Sequence, residues 1–144
     1  MFPDPVFISL YILVFVFFWI IVCGIISYLS GWYKFSRNNA FPEKVSNEIA
    51  QFPYSSVQIN HFGSYNNALV IKIYKEGISI SPQLLFRAFH KPIFIKWNQI
   101  LKTEQGTEFI WFAKTDIYTE GNKFRFYGKA SASINGNYLL YKQS

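Results

Sequence analysis

Two histidines, His61 and His90, and a single cysteine, Cys23, supply all the imidazole and thiol chemistry in this sequence. A zinc site wants a cluster of such ligands. Here the cysteine sits in an apolar stretch and the histidines stand apart, so neither a metal nor a cofactor is expected. One cysteine also excludes an intrachain disulfide. A hydrolase needs a nucleophile beside a base. No G-x-S-x-G element occurs, and Ser55, Ser56, Ser79 and Ser81 have ordinary turn or strand settings. His90 with Glu76 or Asp116 is the acid–base pairing the chain offers, and nothing in the spacing favours it. Beside Lys91-Pro92, His90 reads as a residue that fixes a loop by hydrogen bonding. No G-x-x-x-x-G-K phosphate loop is present. The reading is non-enzymatic, with a membrane-tethered enzyme built on His90 as the alternative.

The cations are more concentrated. Arg87, Lys91 and Lys96 fall close together, interleaved with Phe86, Phe89 and Phe94. Lys123-Phe124-Arg125-Phe126-Tyr127-Gly128-Lys129 repeats that texture. Aromatics that stack on bases beside cations would make a nucleic-acid-binding β domain. Strand geometry opposes this alternative. If Phe124 and Phe126 share one face, Lys123 and Arg125 lie on the other, so the rings enter a core and the charges face solvent. Arg87, Lys91, Lys96, Lys123 and Arg125 are candidates for contact with anionic lipid headgroups or with a partner, the alternative being a solvated basic face with no specific ligand. Near a negatively charged leaflet each such cation adds about 1 kcal/mol.

A membrane comes into question because of where charge is missing. Hydrophobic residues make up 51% of the 144 and charged residues 15%, against about 25% charged in ordinary soluble domains. No charged side chain lies between Asp4 and Lys34, and all 14 Lys and Arg residues come at Lys34 or later. Val6 to Leu29 is an apolar run that rises about 36 Å as a helix, enough to cross about 30 Å of hydrocarbon. The N-terminus lacks the basic side chain of a signal peptide, and Ile20-Ile21-Val22 before Cys23 is not a lipoprotein cleavage box, so the segment is expected to stay as an anchor. Lys34, Arg37 and Lys44 flank only its C-terminal side. The positive-inside rule then puts the N-terminus outside and the rest in the cytoplasm, at the inner or plasma membrane. Cys23, Ser27 and Gly31 form a small-xxx-small run that permits close helix approach, a candidate face for homo-oligomers.

Beyond the anchor, Trp32 and Phe35 suit a short helical turn ended by Pro42. Glu43 to Gln51 has modest helical periodicity through Val45, Ile49 and Phe52. Period-two alternation follows: Val57 and Ile59, with His61 as a candidate continuation, then Ala68 to Lys75 and Ile78 to Ser81, and Ile93 to Trp97 reads as another short, apolar strand. Further candidate strands are Ile100 to Glu104, Glu108 to Tyr118 and Lys123 to Lys129. Gly63 to Asn67, Glu76-Gly77, Gln105-Gly106 and Glu120-Gly121-Asn122 read as turns. Closely spaced strands of this kind predict an antiparallel barrel or sandwich. Ser131 to Tyr141 fits either a hairpin turning at Asn135-Gly136 or a short terminal helix. Trp97 and Ile100 read as core residues.

Two sequence elements resemble those of a group of bacterial membrane proteins without an assigned activity. Gly31-Trp32 followed by Phe41-Pro42 is similar to their post-anchor element. Gly77-Ile78-Ser79-Ile80-Ser81, Phe86-Arg87 and His90-Lys91-Pro92-Ile93-Phe94-Ile95-Lys96-Trp97-Asn98-Gln99-Ile100 resemble their longer block, although Lys91 and Lys96 replace prolines and Gln99 replaces an acid. The resemblance implies a single transmembrane helix carrying a small pleckstrin-homology-like (PH-like) domain. The expected organisation is an external N-terminus at residues 1–5, a transmembrane helix at 6–29, a connector with helical turns at 30–55, and a PH-like β domain at 56–144. The expected role is non-catalytic binding or scaffolding, for an anionic lipid or another membrane protein.

Overall fold

The computed structural model of the chain describes residues 2–60, 63–108 and 112–143. Helix α1 (Pro5–Leu29) opens on proline, whose fixed φ suits a first helical turn. The Asp4 carbonyl accepts from the Phe7 and Ile8 N–H groups. Most of its side chains are exposed, Cys23 and Ser27 being the buried ones. The helix breaks at Gly31, whose φ of +78° is open to glycine and costly for other residues. A second helix, α2 (Trp32–Asn38), starts directly beyond it.

Among the described residues seven strands follow: β1 (Ala50–Ile59), β2 (Gly63–Ile73), β3 (Gly77–Pro82), β4 (Ile93–Lys96), β5 (Lys102–Glu108), β6 (Phe112–Thr119) and β7 (Asn122–Tyr127). Helix α3 (Lys129–Gln143) ends the fold. The strands form one curled antiparallel sheet in the order β4-β3-β2-β1-β7-β6-β5, a half-barrel. β1 joins the two halves, pairing with β2 along its length and with β7 through Val57↔Phe126 and Ile59↔Phe124.

The concave face holds the core. Leu69, Ile71, Ile73, Ile78, Ile80, Ile93, Ile95, Ile117, Phe124 and Phe126 are all fully or nearly fully buried there. Burying one such side chain is worth about 1.5–3 kcal/mol. Two helices plug the half-barrel. α2 contributes Trp32 and Phe35, the Phe35 ring meeting Phe124 edge-on at 4.8 Å. α3 contributes Ala130, Ile134 and Tyr138, one per turn along one face.

The alternation read from the sequence holds in β2, β3 and β7, β4 is buried through Ile93, Phe94 and Ile95 in succession, and Trp97 and Ile100 are core residues as expected. His61, the candidate continuation of the first strand, lies outside the described residues. Four readings need correction. Glu43 to Gln51 is not a helix: the segment is irregular up to Ile49, whose N–H donates to Ile73 O, and β1 starts at Ala50, inside the stretch read as connector. Val45 and Ile49 were spaced like a helix face but find no core, and Ile49 is exposed. Gly63 to Asn67 is not a turn but the first half of β2, and its turn character survives only as the positive φ of Asn67. Gln105-Gly106 lies within β5, paired with Thr115 and Lys114, so the ladder uses a glycine that looked like punctuation. Glu108 accordingly closes β5, and β6 begins at Phe112. The ambiguous last segment is helix, with Asn135-Gly136 inside α3.

Candidate functional site

The most developed polar structure lies where α1 meets the half-barrel. The loop between β3 and β4 folds back along the C-terminal half of α1 and receives donors from it and from α2. The Trp19 indole N–H donates to Leu85 O at 2.8 Å, Ser27 Oγ to Phe89 O at 2.6 Å, and the Trp32 indole N–H to Lys91 O at 2.8 Å. The Phe89 ring lies against Gly24, where a side chain would crowd it. Phe86 packs on Trp19, ring centroids 5.5 Å apart. Cys23 and Ser27 are therefore covered by the chain itself, and Gly31 serves the break between α1 and α2.

Behind this contact runs a buried hydrogen-bonded chain. Ser30 Oγ is 2.7 Å from the Tyr65 hydroxyl, which is 3.2 Å from His90 Nε2, and His90 Nδ1 is 2.9 Å from Ala88 O. A carbonyl only accepts, so Nδ1 carries the proton and Nε2 accepts from Tyr65. Tyr65 in turn accepts from Ser30. Trp32 packs edge-on against both Tyr65 and His90. Burial pushes the His90 pKa down, against the raising effect of Ala88 O, so the ring is neutral at neutral pH. Burial likewise raises the Tyr65 hydroxyl, partly offset by Ser30.

This geometry places His90 as a structural link. Glu76 holds Ser46 through its N–H at 3.1 Å and its Oγ at 2.8 Å. Asp116 binds Arg125 at 2.8 and 3.1 Å and lies 3.5 Å from Lys123. Neither carboxylate meets His90, and among the described residues no three His, Cys, Asp or Glu side chains gather to hold a metal ion.

The five candidate cations are not one patch. Arg87 and Lys91 are exposed on the loop beside α1, and Lys91 O accepts from Trp32 of α2, which also carries the exposed Lys34 and Arg37. Lys96 is exposed at the opposite end of β4, next to Gly77. Lys123 and Arg125 lie on the outer face of β7, with Phe124 and Phe126 buried behind them, which removes the rings from any role as base-stacking platforms. Burial would raise the Asp116 carboxyl, but the hydrogen bonds and charge of Arg125, with Lys123 and Lys114, hold it below its ordinary value. Arg125 is correspondingly raised. Glu104, held by Lys102 and by the Tyr118 hydroxyl, extends this lattice across β5 and β6. Arg125 is thus engaged, while Arg87 and Lys91 are open.

Sequence reasoning named Arg87, Lys91 and His90 but missed Ser30, Tyr65 and Trp19 as their companions. The available signal was the run Cys23, Ser27 and Ser30, small and polar on one face of an apolar helix.

No family model matches this sequence, and no curated protein matches it significantly. Among solved structures, the Vps36 N-terminal PH domain superposes with a TM-score of 0.53 at 4% sequence identity, over 68% of this chain and 83% of that one. At that identity the likeness shows the fold: a PH-like half-barrel closed by a C-terminal helix, here preceded by a long apolar helix.

Proposed function

We propose that the chain is a single-pass membrane protein whose PH-like domain is a non-catalytic binding or scaffolding module held against the bilayer. The observation that carries this is the contrast along α1. Its N-terminal half is uncharged, apolar and uncovered by the rest of the chain, while its C-terminal half is held to the domain by Trp19, Ser27, Ser30 and the β3–β4 loop. A soluble protein would leave that surface in water at large cost. In this reading the N-terminus is outside, and Lys34, Arg37 and Lys44 keep the domain in the cytoplasm. Arg87 and Lys91, with Lys34 and Arg37, face anionic headgroups, in keeping with the bacterial single-pass proteins the sequence resembles.

A reporter active only in the cytoplasm, fused after Ser144, tests the reading. Activity is expected there. Activity only from a reporter that requires export overturns the orientation, and release of the chain from membranes by alkaline carbonate overturns the anchor.

A further inference from the structure

The β3–β4 loop carries three large apolar side chains with nothing over them: Leu84 is 75% exposed, Leu85 73% and Phe89 58%. In a water-soluble turn these are poor choices. The loop is also bound to α1 at known levels, so its depth can be placed relative to the span.

A helix rises about 1.5 Å per residue, so about 30 Å of hydrocarbon takes about 20 residues. Counted from Pro5, the first residue of α1, this brings the domain-side boundary of the hydrocarbon close to Gly24. Phe89 lies on Gly24 and therefore at that boundary. Leu85 and Phe86 contact Trp19, about 7 Å further in. Lys91, bonded to Trp32, lies on the headgroup side. Arg87 has a stem long enough to return its charge to the interface.

Irregular backbone is tolerated at membrane depth only where protein satisfies its polar groups. Most of the loop's carbonyls meet that condition, as do its Phe86, Arg87 and His90 N–H groups. Gln83 O accepts from Phe86 N, Leu84 O from Arg87 N, and Arg87 O from His90 N. Ala88 O accepts from His90 Nδ1. Of the carbonyls that remain, those at Leu85, Phe89 and Lys91 take the Trp19, Ser27 and Trp32 donors. The Trp19 indole N–H, which finds no water within hydrocarbon, is satisfied by the same contact.

We propose that Leu84 to Phe89 is a second membrane element, a loop that inserts Leu84, Leu85 and Phe89 among the acyl chains of the domain-side leaflet alongside α1. The inference rests on the anchor reading. It adds a fixed orientation: the domain is held to the bilayer at two places and cannot swivel about α1.

The test uses the full chain in liposomes. An environment-sensitive nitrobenzoxadiazole label is attached at Leu85→Cys, and separately at Leu84→Cys, in a Cys23→Ala background. Val14→Cys reports the middle of α1, and Glu76→Cys the far end of the domain. Lipids carrying a spin label in the acyl chain should quench the labels at 84 and 85 severalfold more than the label at 76, with blue-shifted emission. Quenching at 14 with none at 84 and 85 overturns the loop insertion and leaves the anchor standing. Blue-shifted emission at 84 and 85 without lipid quenching assigns the patch to contact with a second copy of the chain and overturns the proposal. No quenching at 14 overturns the anchor, and the loop insertion with it.

Discussion

At the scale of single residues, the Ser30–Tyr65–His90 chain has a definite pH signature. His90 is buried and neutral in the folded state, with its pKa below the ordinary value of about 6.5. The unfolded chain takes up a proton near that ordinary value and the folded chain does not. Below it the unfolded state binds more protons, so stability falls as the pH falls. The thermal midpoint of the full chain in detergent should drop from pH 7 towards pH 5, and His90→Gln, which cannot titrate, should flatten that slope. The depressed carboxyls Glu76, Glu104 and Asp116 lose their partners only at lower pH, outside this window. His61 is common to both chains and cancels in the comparison. Parallel slopes would show that His90 is not held neutral by the joint.

At the scale of elements, α3 was the least readable part of the sequence. Its inward positions are Ala130, Ser131, Ile134 and Tyr138, a mixture of small, polar and large residues, and Asn135-Gly136 interrupts them with the strongest of hairpin signals. The structure makes Gly136 an exposed helix-interior residue with open space where a Cβ would go. Gly136→Ala should therefore stabilise the domain by about 0.5–1 kcal/mol, seen as a raised unfolding midpoint. A hairpin at this position would need a left-handed glycine and would be destabilised instead. β2, β3 and β7 were legible because their inward positions carry large apolar side chains in alternation, and β4 as a short apolar run. β5 was not, since Lys102 to Glu108 has no apolar residue and a glycine in the middle. The joint was invisible for a different reason. Ser30 and Tyr65 are 35 residues apart, and Ser27 and Phe89 are 62 apart, so only folding brings them together. The small face of α1 was legible as a place of close approach, but what approaches is the chain's own loop.

At the scale of the whole molecule, the boundary between anchor and domain is not where composition changes. The sequence becomes polar after Leu29, and the β pattern starts some twenty residues later, which invites a cut in between. The packing forbids it. Trp32 is fully buried, and Phe35 joins it in the same core as the strands. Asn39 adds two bonds: its carbonyl accepts from Phe94 N at 2.9 Å, and its side-chain oxygen accepts from Gln99 Nε2 at 3.0 Å. Losing a buried Trp or Phe costs about 3–5 kcal/mol each, and a domain has only about 5–15 kcal/mol in all. A chain that begins at Phe41 should thus lack a cooperative unfolding transition. One that begins at Ser30 keeps the Trp32–Tyr65–His90 packing and the Phe35 plug, and should unfold cooperatively in mild detergent. Equal midpoints for the two chains would mean that α2 is a passive linker. The difference expected between them makes α2 part of the half-barrel, and through Ser30 and Trp32 it ties the orientation of the sheet to the axis of α1.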